Sequence, residues 1–106
     1  LDITHNPNLE WVFMPWGNIQ GTIDLSGSSS LKELMVMFNP VDAIINIDGA
    51  PVLENLDIRE VHITELDLTQ NSIIDNVSAL NCPNLEFVNI KNGNNDNLFF
   101  ASYDSQ

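Results

Sequence analysis

The chain of 106 residues holds 15 carboxylates, two histidines and one cysteine, and the placement of these groups decides what chemistry is open to them. A cysteine nucleophile needs a base within hydrogen-bonding reach. Cys82 instead occupies a small, inward-facing turn position, where a thiol serves as a compact apolar filler. His5 and His62 are far apart along the chain, and each falls in a segment that reads as a turn. Asp24 and Asp67 make a pair for general acid–base work no better than dozens of other combinations of surface acids. There is no glycine-rich phosphate loop, no zinc-ligand spacing and no nucleophile motif. No catalytic, cofactor-binding or metal-ligating residues are therefore expected, and neither is an enzyme. Asn76-Val77-Ser78 matches a glycosylation sequon but lies in an expected strand, so no sugar is expected there.

The elements that position these residues come from a repeat. Apolar-x-apolar triplets begin at Leu1, Val12, Ile23, Leu34, Ile45, Leu56, Leu66, Val77 and Val88. Every step is 11 residues except the one from Leu56 to Leu66, which is 10. A tenth, weaker unit is expected at Phe99. Most triplets have an apolar residue three positions earlier (Leu9, Leu31, Leu53, Ile63, Ile74, Leu85), with Gln20 and Asp42 as exceptions. Five positions after the triplet start stands Asn6, Asn39 or Asn71, or else Gly17, Ser28, Ala50, Val61, Cys82 or Gly93.

Alternation makes each triplet a short strand with its ends inward and its middle residue outward. An Asn at the following bend can satisfy backbone groups that the turn leaves unpaired. One unit cannot bury its own apolar face, so units must stack, with each strand pairing in parallel with its neighbours. No long stretch has helical periodicity. Pro7, Pro40, Pro51 and Pro83 follow the turns, and at most Ser78–Cys82 is expected to form a short helical turn.

The unit L-x-x-L-x-L-x-x-N resembles the leucine-rich repeats, and a spacing of 10 to 11 resembles their nested short-period class, in which two units make one turn. "LDITHNPNLEWV", "LTQN" and "NCPNLEFVNIKNGNN" look like repeats in secreted or surface proteins of Bacteroidota. The resemblance covers nearly the whole chain. It implies a mainly β, leucine-rich-repeat solenoid of about five turns, with two narrow parallel sheets and little or no helix. It also implies an extracellular or bacterial cell-surface location. Several turn asparagines are lost, notably at Val61. Residues 1–91 are read as repeats, and 92–106 as a polar loop followed by a cap or a truncated further repeat involving Leu98, Phe99, Phe100 and Tyr103. Because the chain opens directly on a triplet, more repeats or a partner are expected before Leu1.

Two units per turn would put alternate triplets on opposite faces. One face carries Leu1, Ile23, Ile45 and Leu66, and its outward residues Asp2, Asp24, Asn46 and Asp67 form an acidic ladder, read as a solvated face ahead of a calcium site. The other carries Val12, Leu34 and Leu56. Counting units puts Val88 on the Leu1 face, whereas the likeness of "CPNLEFVNI" to "NPNLEWVFM" puts it with Val12. On the Val12 face, Trp11, Phe13, Trp16, Met35, Met37 and Phe38 are the expected partner-binding residues, since exposed apolar patches mark contact sites and Trp is enriched in hot spots.

The net charge of −12 disfavours nucleic acid and anionic membranes. A lone cysteine excludes an internal disulfide. No apolar run approaches the roughly 20 residues of a membrane helix, so no membrane insertion is expected. The expected function is non-enzymatic interaction or scaffolding, with another protein or the remainder of a larger parent chain as partner. The alternative is carbohydrate binding or adhesion through the Trp residues.

Overall fold

The computed structural model describes residues 1–93 and, in backbone, 99–101. It is a mainly β solenoid of about four turns, close to the about five expected. One face is a continuous parallel sheet of five strands: β1 (Trp11–Phe13), β3 (Glu33–Met35), β5 (Asn55–Asp57), β7 (Asn76–Ser78) and β9 (Phe99–Ala101). Val12, Leu34, Leu56 and Val77 stand opposite one another in register and point inward. Leu34, Leu56 and Val77 are fully buried and Val12 nearly so. Val36, Ile58, Leu66 and Leu68 join them in the core, as the triplet pattern requires.

The opposite face is not one sheet. β2 (Gly21–Asp24) pairs with β4 (Val41–Ile45), and β6 (Glu65–Asp67) pairs with β8 (Phe87–Asn89). No ladder joins β4 to β6. Leu66 lies opposite Val88, which settles the face order in favour of counting units and against the likeness to Val12.

The β4 strand also corrects the expected register. Ile44, not Ile45, stands opposite Ile23, after a bulge between Gly21 and Thr22. Ile45 falls opposite Asp24 and is 44% exposed. A one-residue slip moves a side chain to the other face of a sheet, and the adjacent isoleucines make two registers available. The slip places Val41 three residues before Ile44, where it is fully buried; the position that Asp42 broke in the expected register is thus apolar after all. The chain then leaves the strand through Asn46, whose φ of 53° is left-handed, into a 3₁₀ turn at Ile47–Gly49. The helical turn expected at Ser78–Cys82 is instead the end of β7 and a tight turn at Leu80–Asn81.

Asparagines bind successive turns together. Asn39 is buried; its Nδ2 donates to the carbonyls of Met14 (2.8 Å), Val36 (3.0 Å) and Met37 (3.2 Å), and its Oδ1 accepts from the Ile19 N–H (3.1 Å). Gly17 leaves the space it fills: a Cβ there would sit 2.8 Å from Asn39 Oδ1. Asn71 Nδ2 donates to Ile47 and Ala50 carbonyls, and Asn92 Nδ2 to those of Asn71 and Ile74. Asn92 rather than the expected Gly93 is the buried residue of that turn, while Asn6, in the first turn, is exposed. In the expected C-terminal segment, Phe99–Ala101 pairs with β7, with Phe100 opposite Val77. Leu98, Tyr103 and the rest of the polar loop after Gly93 lie outside the described residues.

Candidate contact surface

The outward residues of the five-stranded face form two rows. Trp11, Glu33, Asn55 and Asn76 make one, and Phe13, Met35, Asp57 and Ser78 the other. Neighbours in a row are separated by the strand spacing of about 4.8 Å. The rows run from aromatic at β1 to polar at β7.

A third row stands at the corner beyond the strands. Trp16, Phe38, Glu60 and Asn81 all have positive φ, between 51° and 63°. Left-handed backbone is disfavoured for side chains other than Gly by roughly 1–2 kcal/mol. It recurs once per turn, and at the first two corners it brings two aromatic side chains together. Trp16 and Phe38 stack face to face, with centroids 5.1 Å apart and planes 1° from parallel. The Arg59 guanidinium lies over the Phe38 ring at 5.4 Å, a cation–π distance. The same guanidinium is forked onto Asp57, with Nε–Oδ1 and Nη2–Oδ2 both 2.9 Å.

The expected contact residues therefore divide. Trp16 (74% exposed), Phe13 (66%) and Trp11 (63%) are the most exposed large apolar side chains described. Met35 and Phe38 are half-buried between them and the polar half of the face. Met37 is a correction: it is buried, covered at the corner where the chain turns through the left-handed Phe38, and so is no part of an exposed patch. Lys32 and Glu10 pair beside Trp11 at 3.3 Å; both are half exposed, so the pair contributes little.

The acidic ladder has a structural role that the sequence reading missed. Asp2 Oδ1 accepts from the N–H and Oγ1 of Thr4, and Asp67 Oδ1 does the same with Thr69. Asp24 Oδ1 accepts from the Ser26 N–H and from Asn46 Nδ2. Asp57 and Asn89 serve the N–H two residues on in the same way. Each closes a turn as its strand ends, satisfying a donor that the ladder no longer serves. The signal was present in the sequence: Asp followed two residues later by Thr or Ser, repeated at the triplet centre. For Asp2, hydrogen bonds from Thr4 hold the carboxyl below the ordinary value. The Asn46 and Ser26 bonds do so for Asp24, and the Thr69 bonds for Asp67. Asp2 and Asp67 are exposed, and Asp24 is half-buried.

The thiol of Cys82 is buried against the Ile58 carbonyl (Sγ–O 3.1 Å), and burial pushes its pKa up, away from thiolate chemistry. His5 and His62 are exposed and on different turns. Among the described residues, no three His, Cys, Asp or Glu side chains are grouped so as to hold a metal ion. Asn76 lies in β7, as the sequon's position suggested. Compared with known protein families, with curated proteins and with solved structures, the chain matches none.

Proposed function

We propose that this chain is a non-enzymatic interaction module, of leucine-rich-repeat type and from a secreted or cell-surface protein, that engages another protein or another part of its parent chain through the aromatic end of its five-stranded face. The observation that carries this reading is the exposure of Trp11, Phe13 and Trp16 together on one turn. Isolated apolar side chains are ordinary on a surface, whereas contiguous ones mark contact sites. Trp16 is held flat against Phe38 before any partner arrives. An anchor already ordered loses less side-chain entropy on binding. Asp57, Arg59, Glu33 and Lys32 supply a charged border, the arrangement that adds specificity around an apolar centre.

Carbohydrate binding is the second reading. It is favoured by one feature: Trp11 heads a row in which Glu33, Asn55 and Asn76 offer hydrogen-bonding groups beside an exposed ring. A display selection of peptide binders against the folded domain, run in parallel with a glycan array, tests both. Selected peptides should lose at least tenfold in affinity for the Trp16→Ala and Phe13→Ala variants while melting temperatures stay within a few degrees. Glycan binding lost with Trp11→Ala transfers the site to the second reading. Binders that ignore all three substitutions overturn both.

A further inference from the structure

We infer a second docking site, on the opposite face from the aromatic patch: the cleft between β4 and β6 receives an arginine side chain from a basic partner segment. The cleft encloses about 330 Å³. Its apolar wall comes from Ile44, Ile45 and Leu66, with Phe87 at the rim. Ile45 and Phe87 are 44% and 52% exposed.

The break in the sheet creates the opening and fixes its size. Alternate residues of a parallel strand bond to opposite neighbours. The Leu25 N–H bonds to the Ile45 carbonyl, so Ile44 directs its backbone groups away from β2. On the other side the Thr64 carbonyl and the Leu68 N–H bond to the β8 chain, so Glu65 and Asp67 direct theirs towards β4. These groups face one another with no ladder between them. Both ends of the opening are nevertheless pinned. The His62 N–H bonds to the Val41 carbonyl at 2.8 Å, and Asn71 Nδ2 to the Ile47 carbonyl at 2.9 Å. A whole strand would need two strand spacings, which the pins forbid, while a single long side chain fits.

Charge selects which side chain. The carboxylates of Asp48, Glu65 and Asp67 border the cleft, and no Lys or Arg lines it. The ion pairs of the described residues, Lys32–Glu10 and Arg59–Asp57, lie elsewhere. An arginine offers a methylene stem for the isoleucines, a planar face for Phe87, and a fork of five donors for carboxylates and free carbonyls. The chain already makes this combination internally, where Arg59 lies over Phe38 and forks onto Asp57.

Titration of the ¹⁵N-labelled domain with a capped Gly-Ser heptapeptide carrying one central arginine tests the inference. The same peptide with citrulline, which keeps the shape and loses the charge, is the control. Shift changes should concentrate at Ile44–Asp48 and Glu65–Gln70, and the citrulline peptide should bind at least tenfold more weakly. Asp67→Asn with Glu65→Gln should reduce affinity about tenfold, and Phe87→Ala about threefold at unchanged charge. Asn at position 67 keeps the turn, as Asn89 does in the next strand with the Lys91 N–H. The paired control Glu54→Gln with Asp75→Asn, two exposed acids away from the cleft, should leave affinity within twofold. Equal weakening by both double variants, or shifts spread over all acidic faces, would mean diffuse attraction to a −12 surface and overturns the inference. The aromatic-patch variants should not alter this titration, so the two sites stand or fall separately.

Discussion

The two faces of the solenoid are built from the same unit and differ in continuity. On the Val12 face, inward residues recur at 12, 34, 56 and 77, and five strands join in one sheet. On the Ile23 face the corresponding residues are 23, 44, 66 and 88, and the sheet divides after β4. Yet the core beneath both is unbroken, since Ile23, Val41, Ile63, Leu66 and Leu68 are all buried. Stacked apolar side chains hold the turns together even where the backbone ladder lapses. The regular face then presents ordered side chains in rows, and the interrupted face presents a cleft.

This contrast predicts unequal costs for equivalent truncations. Leu56→Ala, in the middle of the continuous sheet, should destabilise by about 2–5 kcal/mol, because a fully buried side chain leaves a cavity that the sheet cannot collapse into. Ile44→Ala occupies the matching inward position beside the break but is only half-buried. It should cost about 1–2 kcal/mol, following the smaller apolar area lost. Denaturant melts of the two variants measure the difference. Equal losses would mean that the two faces are equally supported.

The corners sharpen the comparison next. Asn39→Ala should cost about 2–3 kcal/mol, since it leaves the Ile19 N–H and the Met14 carbonyl without their partner in a site that is 1% exposed. Asn39→Asp should not restore stability. A carboxylate can accept from Ile19 but cannot donate to the three carbonyls now served by Nδ2. Thermal melting at neutral pH distinguishes loss of packing, where Asp would partly recover, from loss of donation, where it would not.

The period, the parallel pairing and the inward residues of the Val12 face were legible in the sequence because alternation and an 11-residue step admit one register there. The second face was less so. Of the two registers, only Ile45-Asn46-Ile47 satisfies apolar-x-apolar, whereas the register that forms starts at Ile44 and depends on Val41 reaching the core and on the left-handed turn at Asn46. Asp42 at an apolar position was the trace of the wrong choice. The contact surface was half legible. Trp11, Phe13 and Trp16 could be placed outside by counting, but Met37 is buried beside the left-handed corner at Phe38, and Phe38 does not announce positive φ. Glycine would have announced it; Trp16, Phe38 and Glu60 did not.

Gly49 tests how closely the interrupted face is packed at its corner. A Cβ at this position would lie 2.5 Å from the Leu25 carbonyl oxygen and 2.8 Å from Ser26 Cα, both backbone atoms of the preceding turn. Gly49→Ala should therefore destabilise by about 1–3 kcal/mol through overpacking. Gly93→Ala makes a useful contrast. Its φ is 84° with open space around it, so the cost there is conformational alone and should be about 1 kcal/mol. If Gly49→Ala is harmless, the corner beside the cleft is loose enough to move, and a cleft of fixed size is no longer a sound premise.

The smallest expected effect concerns acid. Asp2, Asp24 and Asp67 all belong to the interrupted face, and hydrogen bonds from Thr4, from Asn46 and Ser26, and from Thr69 hold their carboxyls below the unfolded value. The sign follows from linkage: a carboxylate with a lowered folded pKa binds fewer protons folded than unfolded. Its contribution is complete above the unfolded value of about 3.9 and is lost as pH falls through the folded value. Melting temperature should thus be flat with respect to these groups from neutral pH to about pH 5, then decline below about pH 4. Asp67→Asn keeps an acceptor for the Thr69 N–H but cannot titrate, so its melting temperature should fall less steeply over that window than that of the parent chain. Since turns 2, 24 and 67 lie on one side of the solenoid, amide exchange near pH 3 should quicken first around β2, β4 and β6, while β3 and β5 remain protected. Simultaneous loss of protection on both faces would show that the acid step is global, and that the difference between the faces is one of geometry without a matching difference in stability.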